Sequence, residues 1–144
     1  MPDTPLMRFE YVTEFNSNPN EKAHRRPMLD VVLLHGDKKI KVFALVDSGA
    51  DDCIFNKDVA DALGIDLSKA KRKNYAGISG HTRGWLTDVT LYIEAMPDER
   101  LTIPVAFIDS PTVSGLLGQV GFFDAFKIKF ERDHGVFEIM RSKK

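Results

Sequence analysis

At 144 residues the chain is long enough for one domain with a real core, and 43% hydrophobic against 28% charged residues is the balance of a globular protein. A net charge of −1 gives no general attraction to nucleic acid or to an anionic membrane, so neither is expected as a partner. No apolar run approaches the ~20 residues of a spanning helix, and a single cysteine, Cys53, with no charged-then-apolar leader opening the chain, predicts a reducing, cytoplasmic setting.

Residues 6 to 15 alternate apolar and polar well enough for a strand, and the polar, proline-bearing stretch from Asn16 to Arg26 reads as a loop or a partly disordered segment. Residues 1–27 are therefore expected to be a strand-and-loop extension ahead of a domain spanning 28–144. Met28 to Leu34 and Ile40 to Val46 are apolar runs separated by His35-Gly36-Asp37-Lys38-Lys39, a hairpin whose second strand feeds straight into Asp47. Asn56 predicts a helix N-cap, Val59, Ala60 and Leu63 an apolar face, and Gly64 the C-terminal cap. Lys69 to Lys73 reads as solubilising charge at a strand entry. A glycine-punctuated hairpin, Tyr75 to Gly84, leads into a long strand, Trp85 to Ala95. Met96-Pro97-Asp98-Glu99 then turns the chain into Leu101 to Ile108. Pro104 cannot donate to a ladder, so it predicts an edge strand or a bulge near the surface. Asp109 to Gly115 reads as a loop and Gln119 to Ala125 as a short helix. Phe126–Glu131 and Val136–Met140 form a closing hairpin around Arg132-Asp133-His134-Gly135. Many short strands and two short helices predict an all-β, barrel-like fold. His24, His35, His81, His134 and Cys53 show no metal-ligand spacing, and no metal is expected.

The run Phe43-Ala44-Leu45-Val46 ends abruptly in Asp47, Ser48 and Gly49, which is how a buried strand delivers a reactive group into a tight loop. Asp47 is the candidate catalytic carboxylate. Gly49 admits backbone angles closed to other residues and the close approach of a ligand, and Ser48 can hydrogen-bond nearby groups to orient Asp47. An Asx or Ser turn closing a hairpin is the structural alternative for the same triplet.

The wider segment Leu45-Val46-Asp47-Ser48-Gly49-Ala50-Asp51-Asp52 resembles the active-site segment of retropepsin-like aspartic proteases, the single-lobe relatives of pepsin, which write two apolar residues and then Asp-[Ser/Thr]-Gly-Ala. Leu116-Leu117-Gly118 is similar to that family's second mark, two apolar residues and a glycine before a short helix. Tyr75 to Gly84 looks like its flap over the substrate. The resemblance spans residues 28 to about 140. It implies a closed retropepsin-like β-barrel with one or two short helices. It also implies an aspartic endopeptidase that acts on a peptide or protein substrate with no cofactor.

That chemistry needs two carboxylates about 3 Å apart, which cannot both ionise and so share one proton, acting as acid and base at once. The chain holds one Asp-Ser-Gly, since Asp109-Ser110 runs into Pro111, so the second Asp47 is expected from another copy in a homodimer. The resemblance further implies that Ala50 lines the floor of the site, that Asp51 and Asp52 contact the substrate backbone, and that Gly77, Ile78, Ser79 and Gly80 form a mobile flap tip. Capping of a turn is the alternative for Asp51 and Asp52. Retroviral relatives place an arginine after the apolar-apolar-Gly mark, where it pairs with the carboxylate at the Asp51 position. This chain has Gln119, whose neutral amide cannot make that charge-assisted pair. Val136–Met140 has the apolar content for either an interfacial strand between protomers or a core strand. A non-catalytic dimerisation or peptide-binding module on the same barrel is the alternative function.

Overall fold

The structure, a computed structural model, describes residues 6–14, 20, 23–77 and 80–142, with the side chains of 76, 77, 80 and 81 left aside. Its strands in chain order are β1 Leu6–Glu10, β2 Val12–Glu14, β3 His24–Arg26, β4 Met28–His35, β5 Lys38–Val46 and β6 Cys53–Asn56. They continue with β7 Lys71–Gly77, β8 Gly80–Ile93, β9 Leu101–Ile108, β10 Gly115–Leu117, β11 Phe126–Glu131 and β12 Val136–Arg141, with one α-helix, α1, at Lys57–Leu63. Six strands close a barrel in the order β4-β5-β10-β6-β9-β8, with β8 returning to β4 and β7 lying outside on β8. The 14 residues of β8 make closure possible: Gly80–Leu86 pairs with β7, Gly84–Leu91 with β9 and Thr90–Ile93 with β4.

The two-residue period of a strand decides what enters the barrel. Val42, Ala44 and Val46 of β5 and Leu29, Val31 and Leu33 of β4 are buried, while Phe43 and the preceding Lys41 face out. Phe55, Phe107 and Phe122 fill the interior without measurable exposure. Each such side chain contributes about 1.5–3 kcal/mol relative to leaving it in water. The expected hairpin of β4 and β5 and the caps of α1 are present. Asn56 Oδ1 accepts the Asp58 N–H at 3.0 Å, and Gly64 ends the helix at φ 71°.

A second sheet of three strands, β1-β12-β11, packs beside the barrel. Phe9 of β1 stacks on the buried Phe137 of β12, with ring centroids 5.5 Å apart. Both edges of β12 are occupied within the chain, so Val136–Met140 is a core strand and is not free to pair as an interfacial one.

Four local expectations change. The strand expected over residues 6 to 15 breaks at Tyr11, whose N–H turns to the Gly135 carbonyl at 2.9 Å and so separates β1 from β2. The expected loop holds β3, an all-exposed strand with no apolar period to read, joined to β2 by pairing and by the Arg26–Glu14 ion pair at 3.1 Å. Around Pro104, β9 is an interior strand between β6 and β8, but β6 covers only Val105 to Ile108. The proline therefore sits one residue beyond the point where a second ladder would need its N–H. Gln119–Phe123 is an irregular turn, because Val120 is extended (ψ 117°) and Gly121 lies at φ 96°, a left-handed setting that glycine supplies cheaply. No helix among the described residues is long and apolar enough to cross a membrane.

Candidate active site

The site begins where β5 leaves the core. Val46 is buried, its N–H held by the Pro27 carbonyl at 2.9 Å, and the next residue, Asp47, emerges half-buried with Ser48 and Gly49 exposed. The Gly49 N–H donates to Asp47 Oδ1 at 2.9 Å, and the Ala50 N–H to the Asp47 carbonyl at 3.2 Å. This is an Asx turn, the structural alternative raised for the triplet, and it fixes one carboxylate oxygen at a solvent-facing loop.

A second loop braces the first. β10 lies between β5 and β6, parallel to β5, and brings Leu117 beside Val46. The Asp47 N–H donates to the Leu117 carbonyl at 3.0 Å, the Gln119 N–H to the Ala50 carbonyl at 2.9 Å and the Val120 N–H to the Asp51 carbonyl at 2.8 Å. Gln119 Nε2 donates to the Ser48 carbonyl at 2.7 Å, so the amide that stands in place of an arginine ties the two loops through backbone. The loops cross at Gly118. A Cβ there would lie 2.7 Å from the Ala50 carbonyl oxygen and nearer still to that of Asp52, so no larger residue fits without moving main chain. Beneath the crossing, Cys53 Sγ accepts the Gly118 N–H at 3.4 Å. Burial raises the thiol pKa and keeps it protonated, which makes it a packing group.

Of the other sequence candidates, Ala50 is half-buried and Asp51 exposed. Asp52 is turned inward. Its Oδ2 accepts Lys73 Nζ at 2.6 Å and the Tyr75 hydroxyl at 2.8 Å, both from β7. Burial raises the Asp52 pKa, but the hydrogen bonds from Lys73 and Tyr75 and the Lys73 charge together hold it below the usual carboxylate value. Burial, then the Asp52 hydrogen bond, pushes the Tyr75 hydroxyl pKa up. Lys73, read from sequence as solubilising charge, is thus an ion-pair partner. The signal that could have found it is its two-residue spacing from Tyr75, which puts both on one face of β7. In the hairpin above, Gly77 pairs with Gly80, while Ile78 and Ser79 lie outside the described residues. Among the described residues, no three His, Cys, Asp or Glu side chains converge as metal ligands would.

A closed barrel of these strands, carrying an Asp-Ser-Gly loop cross-braced by a glycine-bearing second loop, has a retropepsin-like fold. The aspartyl protease family profile matches residues 32–120, and the chain belongs to that family; it is an aspartic peptidase. Among solved structures, a retropepsin-like aspartic protease from Rickettsia conorii is similar at a TM-score of 0.63 and 18% identity, over 96% of this chain and 100% of that one. EIAV protease complexed with the inhibitor HBY-793 is similar at a TM-score of 0.49 and 19% identity, over 72% of this chain and 88% of that one. A search of curated protein sequences found no significant match.

Proposed function

We propose that the chain is an aspartic endopeptidase working as a homodimer, in which the Asp47 carboxylates of two protomers share one proton and hydrolyse a peptide bond between them. The observation that carries this reading is the placement of Asp47: one oxygen pinned by Gly49, the loop braced by Leu117 and Gln119, and the apex open to solvent. The ionised Asp47 takes a proton from water as the water oxygen bonds to the peptide carbonyl carbon, while the protonated one gives its proton to the carbonyl oxygen. Collapse of the resulting diol breaks the C–N bond. The leaving nitrogen takes the dyad's proton, and a diol hydroxyl returns one to the dyad as the carboxyl C=O forms, which restores its starting state.

Ser48 and Gly49 complete the Asp47 loop, Ala50 lines its floor and the exposed Asp51 meets substrate main chain. The β7–β8 hairpin, with Gly77, Ile78, Ser79 and Gly80 at its tip, serves as the flap that excludes water. The domain of residues 28–144 is completed by the pairing of β1 from the N-terminal extension with β12. The lone, buried Cys53 fits a reducing, cytoplasmic setting. Asp47→Asn, nearly isosteric, is expected to lower cleavage of a peptide library by orders of magnitude with an unchanged circular dichroism spectrum. Wild-type cleavage by that variant would overturn the proposal.

A further inference from the structure

We infer that Asp52 is a positioning residue that latches the β7–β8 hairpin to the Asp47 loop through Tyr75 and Lys73. The inference rests on the proposed reading of that loop as catalytic and of the hairpin as its cover.

Asp52 belongs to two structures at once. Its main chain is part of the loop crossing, where its carbonyl oxygen abuts Gly118. Its neighbour Asp51 accepts the Val120 N–H. The side chain, only 11% exposed, turns the other way and holds the hairpin stem with both bonds on Oδ2. The stem is shaped for this. The Tyr75 ring lies across Gly84 of β8, where a Cβ would come within 2.7 Å of Tyr75 Cε2, so a glycine on the neighbouring strand is the seat that lets the hydroxyl reach inward. Lys73, paired with Gly84 in register, places its ammonium over the same ring, 5.3 Å from the centroid, and on the same carboxylate oxygen. Ring, cation and carboxylate close a triangle at the foot of the hairpin. For the stem to swing away, two charge-assisted hydrogen bonds must break, or the Asp47 loop must move with it. Asp52 therefore acts on hairpin placement, while Asp51, exposed beside it, is left to meet ligand.

The test uses the full chain and reads amide hydrogen exchange along β7 and β8 together with peptide-cleavage kinetics. Tyr75→Phe keeps the ring on Gly84 and removes the hydroxyl, and Lys73→Met keeps the aliphatic stem and removes the charge, so both retain the packing. Each should raise stem exchange about tenfold, the effect of one charge-assisted hydrogen bond on a local opening equilibrium. Each should also raise KM while kcat holds, because ordering of the hairpin is then drawn from substrate binding. Gly84→Ala, which displaces the ring from the opposite side, should reproduce the Tyr75→Phe exchange. Stem exchange at the wild-type level in Tyr75→Phe and Lys73→Met, or in Gly84→Ala, would overturn the latch. Asp47→Asn separates the two readings. It should abolish cleavage with stem exchange unchanged, and if it cleaves, the dyad fails while the exchange result still decides the latch.

Discussion

Burial disfavours the ionised form of Asp52, and the hydrogen bonds from Lys73 and Tyr75 outweigh it, so the folded carboxyl holds its charge to lower pH than it does in the unfolded chain. A depressed folded pKa contributes stability that is fully present above the unfolded value of about 3.9 and is lost as pH falls below that value toward the folded one. Replacing Asp52 by Asn removes this contribution at neutral pH. The gap in Tm between wild type and Asp52→Asn should therefore hold constant from neutral pH down to about pH 5 and narrow as the pH falls below about 4, as read by thermal unfolding at a series of pH values. A gap independent of pH would mean that the carboxylate's charge is not what Lys73 and Tyr75 hold. Sequence could not show this, because Asp51 and Asp52 are the same residue type side by side. Only the fold separates the one that faces solvent from the one that faces β7.

At the scale of elements, the brace of the Asp47 loop depends on β10 and the turn after it. Gly118→Ala would set a methyl against the main-chain oxygens of Ala50 and Asp52, neither of which can rotate away as a side chain can. Overpacking of this kind costs about 1–3 kcal/mol. Chemical denaturation should show a lowered midpoint, accompanied by a drop in cleavage, since the Asp47 N–H bond to Leu117 lies at the same crossing. Sequence displayed much of this element. The apolar strand into Asp47, the hairpin before it and the Asn56 and Gly64 caps were legible, because each rests on local periodicity or on one residue's backbone preference, whereas Leu116-Leu117-Gly118 was legible only through the family resemblance. What lay beyond it were features set by partners far along the chain. Polar β3 is a strand only because β2 lies beside it, Gln119–Phe123 is bent by Gly121 against Ile103, and Pro104 is tolerated inside the sheet only because β6 stops short of it.

For the whole molecule, one chain supplies one Asp47, and the proposed mechanism needs two. Specific activity should then fall on dilution through the dimer dissociation constant. Excess Asp47→Asn protein should suppress the wild type by forming heterodimers with half a dyad. Constant specific activity on dilution, unaffected by the variant, would require a monomeric catalyst and another mechanism. Because β1 and β11 already flank β12, the pairing of two chains in such a dimer must use surfaces other than the edges of that strand.

The hydrogen bond from Gln119 to Ser48 spans 71 residues of chain. Closing a loop of that length must precede the contacts that reward it, which makes such pairings slow. During synthesis the β4–β5 hairpin leaves the ribosome well before β10, with Asp47 at its end held by the local Gly49 N–H but without the second loop that braces it. The loop gains its long-range brace only when the segment through Val120 has emerged and β10 has slotted between β5 and β6. A nascent or partly folded chain of this kind carries Asp47 on an unbraced loop, so on the proposed reading of Asp47 the order of folding itself delays proteolytic competence until the barrel is nearly complete.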